Sequence, residues 1–547
     1  MRSYTTLTTE LKDGWTVGRM LSRQAAERPD APALQWQSEE PLSYGELYER
    51  CRRVAGGLRS LGVQRGDKVL IMLPNRTEIV LSWFGVTLLG AAEVPINTAY
   101  KTSWLAHEVN DCGARVAIVA EEFVERFEEI ADELKELTTI FVVGDSSESR
   151  DELTAQSLAA HSWSELIQAE PIAEPEETHF NDVMGVLYTS GTTGASKGVI
   201  VPYGLSGIFA QAIIDSAKLT SDDVAYVCNP LFHGNAQFMQ VLPIMLTGGR
   251  VSLWPKFSAS RWLSQVRESG ATITNTIGVI LQFIYGQEPQ DDDADNPLKR
   301  VLVQPAPKDI VEDFEARFGV TCLEGYGMTE IGVVTYRHMD DPLKPGAAGK
   351  PIDEWFDVRI EDPETGEPRP PGEPGAIVVR PKSSGILMQG YHNLPEKTLE
   401  AWRELWFHTD DMAKLDEEGH LIFADRAKDM IRRRGENISS YTIESNVQEH
   451  PAVNEAAAFA VASDLGEGSE DEVKVCVILN DGEEVDPTEL HDFCAERMPH
   501  FAVPRYIEFV SEIPRTPNQK VQKKKLRDRG ITEETWDREA AGVELRG

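Results

Sequence analysis

From Val183 to Tyr203 the chain runs as an apolar stretch, a polar loop and a second apolar stretch, an arrangement few folds can hold. Val183 to Leu187 and Val199 to Val201 have the apolar content of strands, while Thr189 to Gly198 is built of Thr, Ser, Gly, Ala and Lys197. Gly191, Gly194 and Gly198 permit positive φ and close backbone approach. Thr189, Ser190, Thr192, Thr193 and Ser196 present hydroxyls, and Lys197 adds a point charge. Such a loop suits a polyphosphate. A flexible linker of similar composition would lie between domains rather than between strand-like runs. The spacing does not fit G-x-x-x-x-G-K-[ST], so the loop belongs to another class of phosphate binder.

The flanking chain has the rhythm of a parallel sheet. Asp67 to Leu73, Ala92 to Ile96 and Ala114 to Ala120 read as strands, with helices over Thr77 to Leu89 and Ser103 to Cys112 between them. Ser43 is placed to cap a helix. Ser146 to Glu177 is acidic and poorly patterned and reads as a surface excursion. The rhythm resumes after the loop, with a strand at Val301 to Val303 and a helix at Val311 to Phe318. The carboxylate run near Asp291 reads as a solvated loop. From Pro345 to Ile422 short runs punctuated by Gly and Pro imply a small antiparallel β subdomain. Beyond Arg426 the pattern restarts as a compact α+β domain.

A chain of 547 residues exceeds one core, and its formal net charge of −36 argues against a general nucleic-acid surface or an anionic membrane face. The six cysteines are scattered, without zinc-ligand spacing, and read as reduced core residues. The N-terminus lacks a secretory pattern, and Ile79 to Ala92 is too short to span a bilayer. The expected location is the cytoplasm.

Six strings beyond the loop bear on chemistry. Pro230-Leu231-Phe232-His233-Gly234-Asn235 carries a histidine in a turn. Glu324-Gly325-Tyr326-Gly327-Met328-Thr329-Glu330 sets an aromatic ring between glycines, then a hydroxyl and a carboxylate suited to phosphate and Mg²⁺. Thr409-Asp410-Asp411 is followed by Asp425-Arg426-Ala427-Lys428-Asp429 and Arg432-Arg433-Arg434-Gly435, and Pro514 to Val521 carries Lys520. Singly, each could be a turn or a solvated tail. Jointly and in this order, over nearly the whole chain, they resemble the adenylate-forming superfamily of acyl-CoA synthetases, peptide-synthetase adenylation domains and beetle luciferase. PLFHGNAQ, EGYGMTEIGV and MIRRRGENIS are most similar to its carnitine/crotonobetaine-CoA ligase-like branch.

The resemblance implies an α/β protein: a large N-terminal domain (1–427) of doubly wound subdomains with a β-rich part at about 345–425, then a mobile α+β domain (428–547). It implies an acyl-CoA ligase that joins a carboxylic acid to ATP as an acyl-adenylate and passes the acyl group to CoA, releasing AMP. ATP, Mg²⁺ and coenzyme A are the expected cofactors, the acid and CoA the partners, and a homodimer a further expectation. By resemblance, Thr189, His233, Glu330 and Lys520 form the catalytic set, with His233 as a gate and Glu330 on the metal. Thr189 to Gly194, Lys197, Glu324, Gly325, Tyr326, Gly327, Met328, Thr329, Asp411, Phe423 and Arg426 bind nucleotide. Lys428 is the hinge, and Arg433, Arg434 and Gly435 border CoA. His233, Ile277, Gly278, Val279, Gln304 and Pro305 line the acyl pocket.

Four positions depart from the family pattern: Gln304-Pro305 in a Gly-rich stretch, Asp410 for Gly, Gln519 for Gly, and Tyr203 where His is common. Three of them border the nucleotide or Lys520. They raise an alternative, an enzyme of the thioesterification half alone that receives a preformed acyl-adenylate. A non-catalytic AMP-binding protein is a further alternative, disfavoured by the retention of Glu330 and Lys520.

Overall fold

The computed structural model describes residues 4–144, 153, 158–189, 196–426, 430–463, 470–480, 482–515 and 521–545. The chain forms two compact units. One comprises Met1–Thr98, Val109–Leu187 and Gly198–Asp425; the other comprises Ala99–Glu108, Tyr188–Lys197 and Arg426–Gly547.

Two seven-stranded sheets dominate the first unit. In the first sheet the strand order is Ala159–Ser162, Thr139–Val143, Val116–Ala120, Lys68–Met72, Ala92–Pro95, Val183–Thr189 and Lys197–Pro202. Lys68–Met72 pairs in parallel on both sides and is buried beyond its first residue, as its VLIM run requires. The acidic segment expected to be a surface excursion is structured in part. Ala159–Ser162 is the sheet's edge strand, and Trp163–Ile167 is a helix with a capping box between Ser162 and Glu165. Its pairing with Thr139–Val143 supplies the order its own polar sequence lacks.

The second sheet runs Thr321–Leu323, Arg300–Val303, Ile273–Thr276, Val224–Val227, Arg250–Leu253, Pro32–Trp36 and Leu42–Ser43. All neighbours are parallel except the last pair. Ser43 ends that edge strand and caps the helix Tyr44–Ser60, with Glu46 completing the capping box. The helix Val311–Phe318 forms where its pattern predicts and stops at Gly319, whose φ of 67° turns the chain into Thr321–Leu323. Trp262, Phe314 and Phe318 pack under Tyr226, Val301 and Val303 on one face of this sheet. Strand order reverses between Val224–Val227 and Ile273–Thr276, and in the first sheet between Lys68–Met72 and Val116–Ala120. In doubly wound sheets ligands bind at the carboxyl ends of strands at such reversals.

The Gly- and Pro-punctuated stretch forms the expected antiparallel β layer. Phe356–Glu361, Gly375–Pro381, Trp406–Leu415 and Trp402–Arg403 pair in that order, and Leu421–Arg426 joins Trp406–Leu415. The second unit holds the hairpin Met430–Arg433/Glu436–Ser439 and a sheet of Val453–Ala462, Asp471–Leu479, Tyr506–Phe509 and Trp536–Asp537. Its core includes Ile431, Ile438, Ile443, Val475 and Leu490. Lys474 and Glu508 are buried there as an ion pair of 2.5 Å, and Thr535 accepts a second Lys474 hydrogen bond at 2.8 Å. The six cysteines are buried and unbridged, and burial pushes the Cys228 thiol up to about 12. Among the described residues no helix is long and apolar enough to cross a membrane.

Candidate active site

The chain leaves the second sheet after Leu323 and re-pairs as Gly325–Met328 antiparallel to Gly332–Tyr336, with a register shift at Tyr326/Gly327. The string, which taken singly could have been a Gly-rich turn, is thus a bulged strand. Both of its glycines are required by packing: a Cβ on Gly325 would enter the Tyr336 ring, and one on Gly327 would meet the Gly332 backbone. The bulge leaves Tyr326 8% exposed, with its hydroxyl donating to Asp411 Oδ2 at 2.8 Å. Burial first, then the Asp411 charge, pushes the phenol well above its ordinary range, so it remains a neutral donor. The Phe423 ring lies 6.3 Å from the Tyr326 ring, tilted by 38°, and is 40% exposed. Tyr326, Asp411 and Phe423, far apart in sequence, are therefore one cluster.

Asp410 explains its own departure from the family glycine. Its φ is 60°, so the left-handed backbone that glycine would adopt is kept, and Asp is among the residues that tolerate it. Thr409 helps hold this turn: its hydroxyl donates to Ile377 O at 2.9 Å and accepts the Asp411 N–H at 3.2 Å.

Glu330 is 4% exposed, and the Tyr391 hydroxyl donates to its Oε1 at 3.0 Å. A buried carboxylate with a neutral donor on one oxygen suits a hard divalent cation, so the residues present fit Mg²⁺. Tyr391 was not singled out in the sequence; its signal was an aromatic in the Gly-punctuated Gly390-Tyr391-His392 loop. Thr329 beside Glu330 is half-buried.

Glu324 is buried, and its Oε1 accepts the Ala306 N–H at 3.0 Å. Burial raises its carboxyl to about 8, against the lowering by that hydrogen bond and by Arg337. Below pH 4.5 the group is neutral in folded and unfolded chains alike. Between 4.5 and about 8 the unfolded chain releases a proton that the folded chain retains, so stability falls as pH rises through that window. Glu324→Gln should remove this fall. Its melting temperature should exceed that of the native chain by roughly 2 °C or more at pH 8 and by less at pH 5. Equal pH slopes for the two proteins would contradict the buried neutral acid.

The proposed acyl-pocket residues lie along the carboxyl ends of the second sheet. His233 is half-buried against Phe232, with ring centroids 4.7 Å apart, and precedes the short helix Gly234–Ala236. Gly278 opens the helix Gly278–Tyr285, and a Cβ there would lie 2.8 Å from Pro305 O, so only glycine allows these segments to meet. The Gln304–Pro305 peptide is cis, and Gln304 Nε2 donates to Tyr336 Oη at 3.2 Å. Asn75, after the strand Lys68–Met72, stitches the two sheets together. Its Nδ2 donates to Asn229 O at 2.9 Å and to Trp254 O at 3.1 Å, and its Oδ1 accepts the Leu231 N–H at 2.9 Å. Tyr203, where His is common in the family, is buried and donates to Thr87 O at 3.2 Å.

In the second unit, Thr189 and Lys197 end the two stems of the polar loop, and Ser196 Oγ donates to Glu108 Oε1 at 2.8 Å. Arg433 departs from the expectation that it borders CoA. It is 2% exposed, ion-paired to Glu472 at 2.7 Å and hydrogen-bonded to Val503 O at 2.8 Å, because its neighbours in the hairpin carry it into the core. Arg434 is exposed at the hairpin tip, with Gly435 beside it, and the Gly435 N–H donates to Glu470 Oε1 at 2.6 Å. Ser190, Gly191, Thr192, Thr193, Gly194, Lys428, Gln519 and Lys520 lie outside the described residues, as do the side chains of Val279 and Arg426. Among the described residues Asp416, Glu418 and His420 form a cluster of metal-type donors, but Lys344 Nζ already fills it, at 2.6 Å from Asp416 and 3.2 Å from Glu418.

Residues 21–392 match the AMP-binding enzyme family and residues 442–520 its C-terminal domain. Feruloyl-CoA synthase of Amycolatopsis is 33% identical over 93% of this chain and 97% of its own. Crotonobetaine/carnitine-CoA ligase of Salmonella heidelberg is 29% identical over 95% of this chain and 100% of its own. The solved structure of Bacillus subtilis o-succinylbenzoate-CoA synthetase superposes with a TM-score of 0.79 at 26% identity, over 93% of this chain and 98% of that one. The chain belongs to the AMP-binding enzymes. Within them it is an AMP-forming acid–thiol ligase, an acyl-CoA synthetase of the class that uses ATP, Mg²⁺ and CoA.

Proposed function

We propose that this enzyme performs both half-reactions on a small carboxylic acid, with the nucleotide held at the Tyr326–Asp411 cluster. A carboxylate oxygen of the acid attacks the α-phosphorus of ATP, and the bond to the departing pyrophosphate breaks. The CoA sulfur, losing its proton, then attacks the acyl carbon, and AMP leaves. The observation that carries the reading is the Tyr326–Asp411 hydrogen bond. It sets a carboxylate, the group that suits a ribose diol, beside two aromatic rings that suit a purine. Glu324, neutral near pH 7, adds no charge against an anionic ligand.

Glu330 would hold Mg²⁺, which when bound offsets negative charge on the phosphates. Thr189 to Gly194, Lys197 and Thr329 serve the phosphates, and Lys520 meets charge developing between the acid and the α-phosphate. Lys428 begins the C-terminal domain and acts as its hinge, and Arg434 and Gly435 face CoA. His233, Ile277, Gly278, Val279, Gln304 and Pro305 bound the acyl group. The relatives named above are a crotonobetaine/carnitine-CoA ligase, a feruloyl-CoA synthase and an o-succinylbenzoate-CoA synthetase, so their names support the class of substrate and not its member. A cytoplasmic homodimer is part of the same reading, checked by fractionation and sedimentation.

The test is acid-dependent ATP–pyrophosphate exchange, measured beside CoA-thioester formation from a synthetic acyl-adenylate. Both should be robust with a cognate acid, and Lys428→Pro should keep the exchange while losing thioester formation. Thioester formation without exchange for any acid would overturn the complete ligase.

A further inference from the structure

Glu330 lies on the turn that joins Gly325–Met328 to Gly332–Tyr336. A turn is the least constrained part of a hairpin and a glutamate side chain adds three rotatable bonds, so the direction of its carboxylate has to be set from outside. One strip of chain does this. The Met388 N–H donates to Glu330 O at 2.9 Å, and the Tyr391 hydroxyl donates to Glu330 Oε1 at 3.0 Å, with Tyr391 and Glu330 both buried.

Between these two contacts the same strip extends the edge of the first sheet. The Gln389 N–H donates to Ile200 O and the Ile200 N–H to Gly390 O, each at 3.0 Å, Tyr391 bridges Val199 in antiparallel fashion, and the His392 N–H donates to Gly198 O at 2.7 Å. Gly198 is where the polar loop ends in sequence and the strand Lys197–Pro202 carries the chain onward. Five residues, Met388 to His392, therefore hold the Glu330 turn against Gly198 to Ile200. The base of the Tyr391 side chain is itself pinned. Its N–H donates to Thr398 Oγ1 at 2.9 Å, and Thr398 Oγ1 in turn donates to Leu394 O at 3.1 Å. Gly390 has a φ of 134°, and a Cβ there would lie 3.1 Å from the same Thr398 Oγ1, so the glycine permits this close approach. Packing alone would be met by a phenylalanine at position 391; the hydroxyl serves the carboxylate.

We propose that Tyr391 is the positioning residue of the metal carboxylate, its hydroxyl holding Glu330 in a fixed place relative to Gly198 to Ile200 before the nucleotide arrives. The inference rests on the reading of Glu330 as the Mg²⁺ ligand. Hydrogen-bond partners of a ligating carboxylate orient it, and their removal costs about ten- to a hundred-fold in metal affinity or activity. Tyr391 acts through Glu330 and not on the reacting atoms. AMP, which has no polyphosphate to carry the cation, and the acyl-adenylate, which has lost its pyrophosphate, make no use of it.

The test measures, by calorimetry, the Kd of the Mn²⁺ complex of α,β-methylene-ATP and the Kd of AMP on the native full-length chain, Tyr391→Phe, Glu330→Gln and the double variant. Tyr391→Phe keeps the ring and should weaken the manganese–nucleotide complex about ten-fold while AMP binds within about three-fold of native. In acid-dependent ATP–pyrophosphate exchange, kcat/KM for MgATP should fall by a similar factor, and thioester formation from a synthetic acyl-adenylate should stay unchanged. Glu330→Gln should lose at least as much affinity for the manganese complex, and adding Tyr391→Phe to it should change little, within about three-fold, because no ligand is left to position. Equal weakening of AMP and the manganese complex, or loss of thioester formation, would make Tyr391 a folding residue and overturn the proposal. So would a manganese affinity untouched by Tyr391→Phe but lowered by Glu330→Gln, or a full Tyr391→Phe effect that persists in the Glu330→Gln chain. A manganese affinity untouched by Glu330→Gln would overturn the reading of Glu330 itself, and this inference with it.

Discussion

Lys520→Ala should abolish adenylation while sparing the second half-reaction. Acid-dependent ATP–pyrophosphate exchange should fall by about 10²–10³-fold, the range seen when one preorganised charge or donor is withdrawn from a developing anion. Thioester formation from a supplied acyl-adenylate should stay within a few-fold of native, because the carboxylate–phosphate bond has already been made. The basis is chemical. A carboxylate approaching a phosphate brings two negative groups together in a chain of net charge −36, so a cation is needed at the point of attack. The Lys520 and Lys523 to Lys525 run supplies such charge where a long acidic chain has little to spare. Lys520→Arg, which keeps charge but changes shape, should recover part of the exchange. Equal loss in both half-reactions would show that Lys520 serves folding or both steps.

Asp411→Ala should have the second-largest effect. The carboxylate at position 411 takes the Tyr326 hydroxyl on Oδ2 at 2.8 Å, and the proposed ribose contact is its second task. Removing a charged acceptor of a substrate hydroxyl costs about 1.5–3 kcal/mol, so kcat/KM for ATP should drop by roughly ten- to a hundred-fold. The loss should appear chiefly in the KM for ATP, since the ribose does not react. Asp411→Asn retains an oxygen acceptor and should lose less. Tyr326→Phe keeps the ring and removes only the hydroxyl that orients Asp411, so it should lose least. A drop in kcat with an unchanged KM would place Asp411 at the reacting atoms instead.

Much of the fold was legible because local patterns and tertiary demands agree. The VLIM run of Lys68–Met72 is apolar on both faces because the strand is covered on both faces. The helix Val311–Phe318 combines a two-sided pattern with a glycine stop and matched its expected bounds. Where the two demands separate, reading failed. Ala159–Ser162 is a half-exposed edge strand with no apolar alternation, and only pairing with Thr139–Val143 defines it. The Gly325–Met328 string taken singly was open to being a turn, because glycine usually marks turns, whereas here both glycines make room for a neighbouring strand. Arg433 was placed beside CoA together with Arg434 and Gly435, yet strand alternation turns it inward to Glu472 and the Phe501 and Val503 carbonyls.

The sequence by itself determined the class of chemistry. A polar loop of glycines and hydroxyls between strands, and an ordered set of short strings after it, are properties of residue type and spacing, and both survive without coordinates. It also determined the alternation of strand and helix, because burial on two faces leaves a hydrophobic signature in each segment. Only the tertiary structure decided which segments meet. Pro32–Trp36 precedes every strand of the first sheet yet pairs with Arg250–Leu253 in the second, a choice that no local pattern encodes. Tyr326 reaches Asp411, Glu330 reaches Tyr391, and Asn275 reaches Asn235 across long stretches of chain. Side-chain hydrogen bonds between distant segments follow from the packing of whole sheets, and a sequence records the partners without recording the pairing.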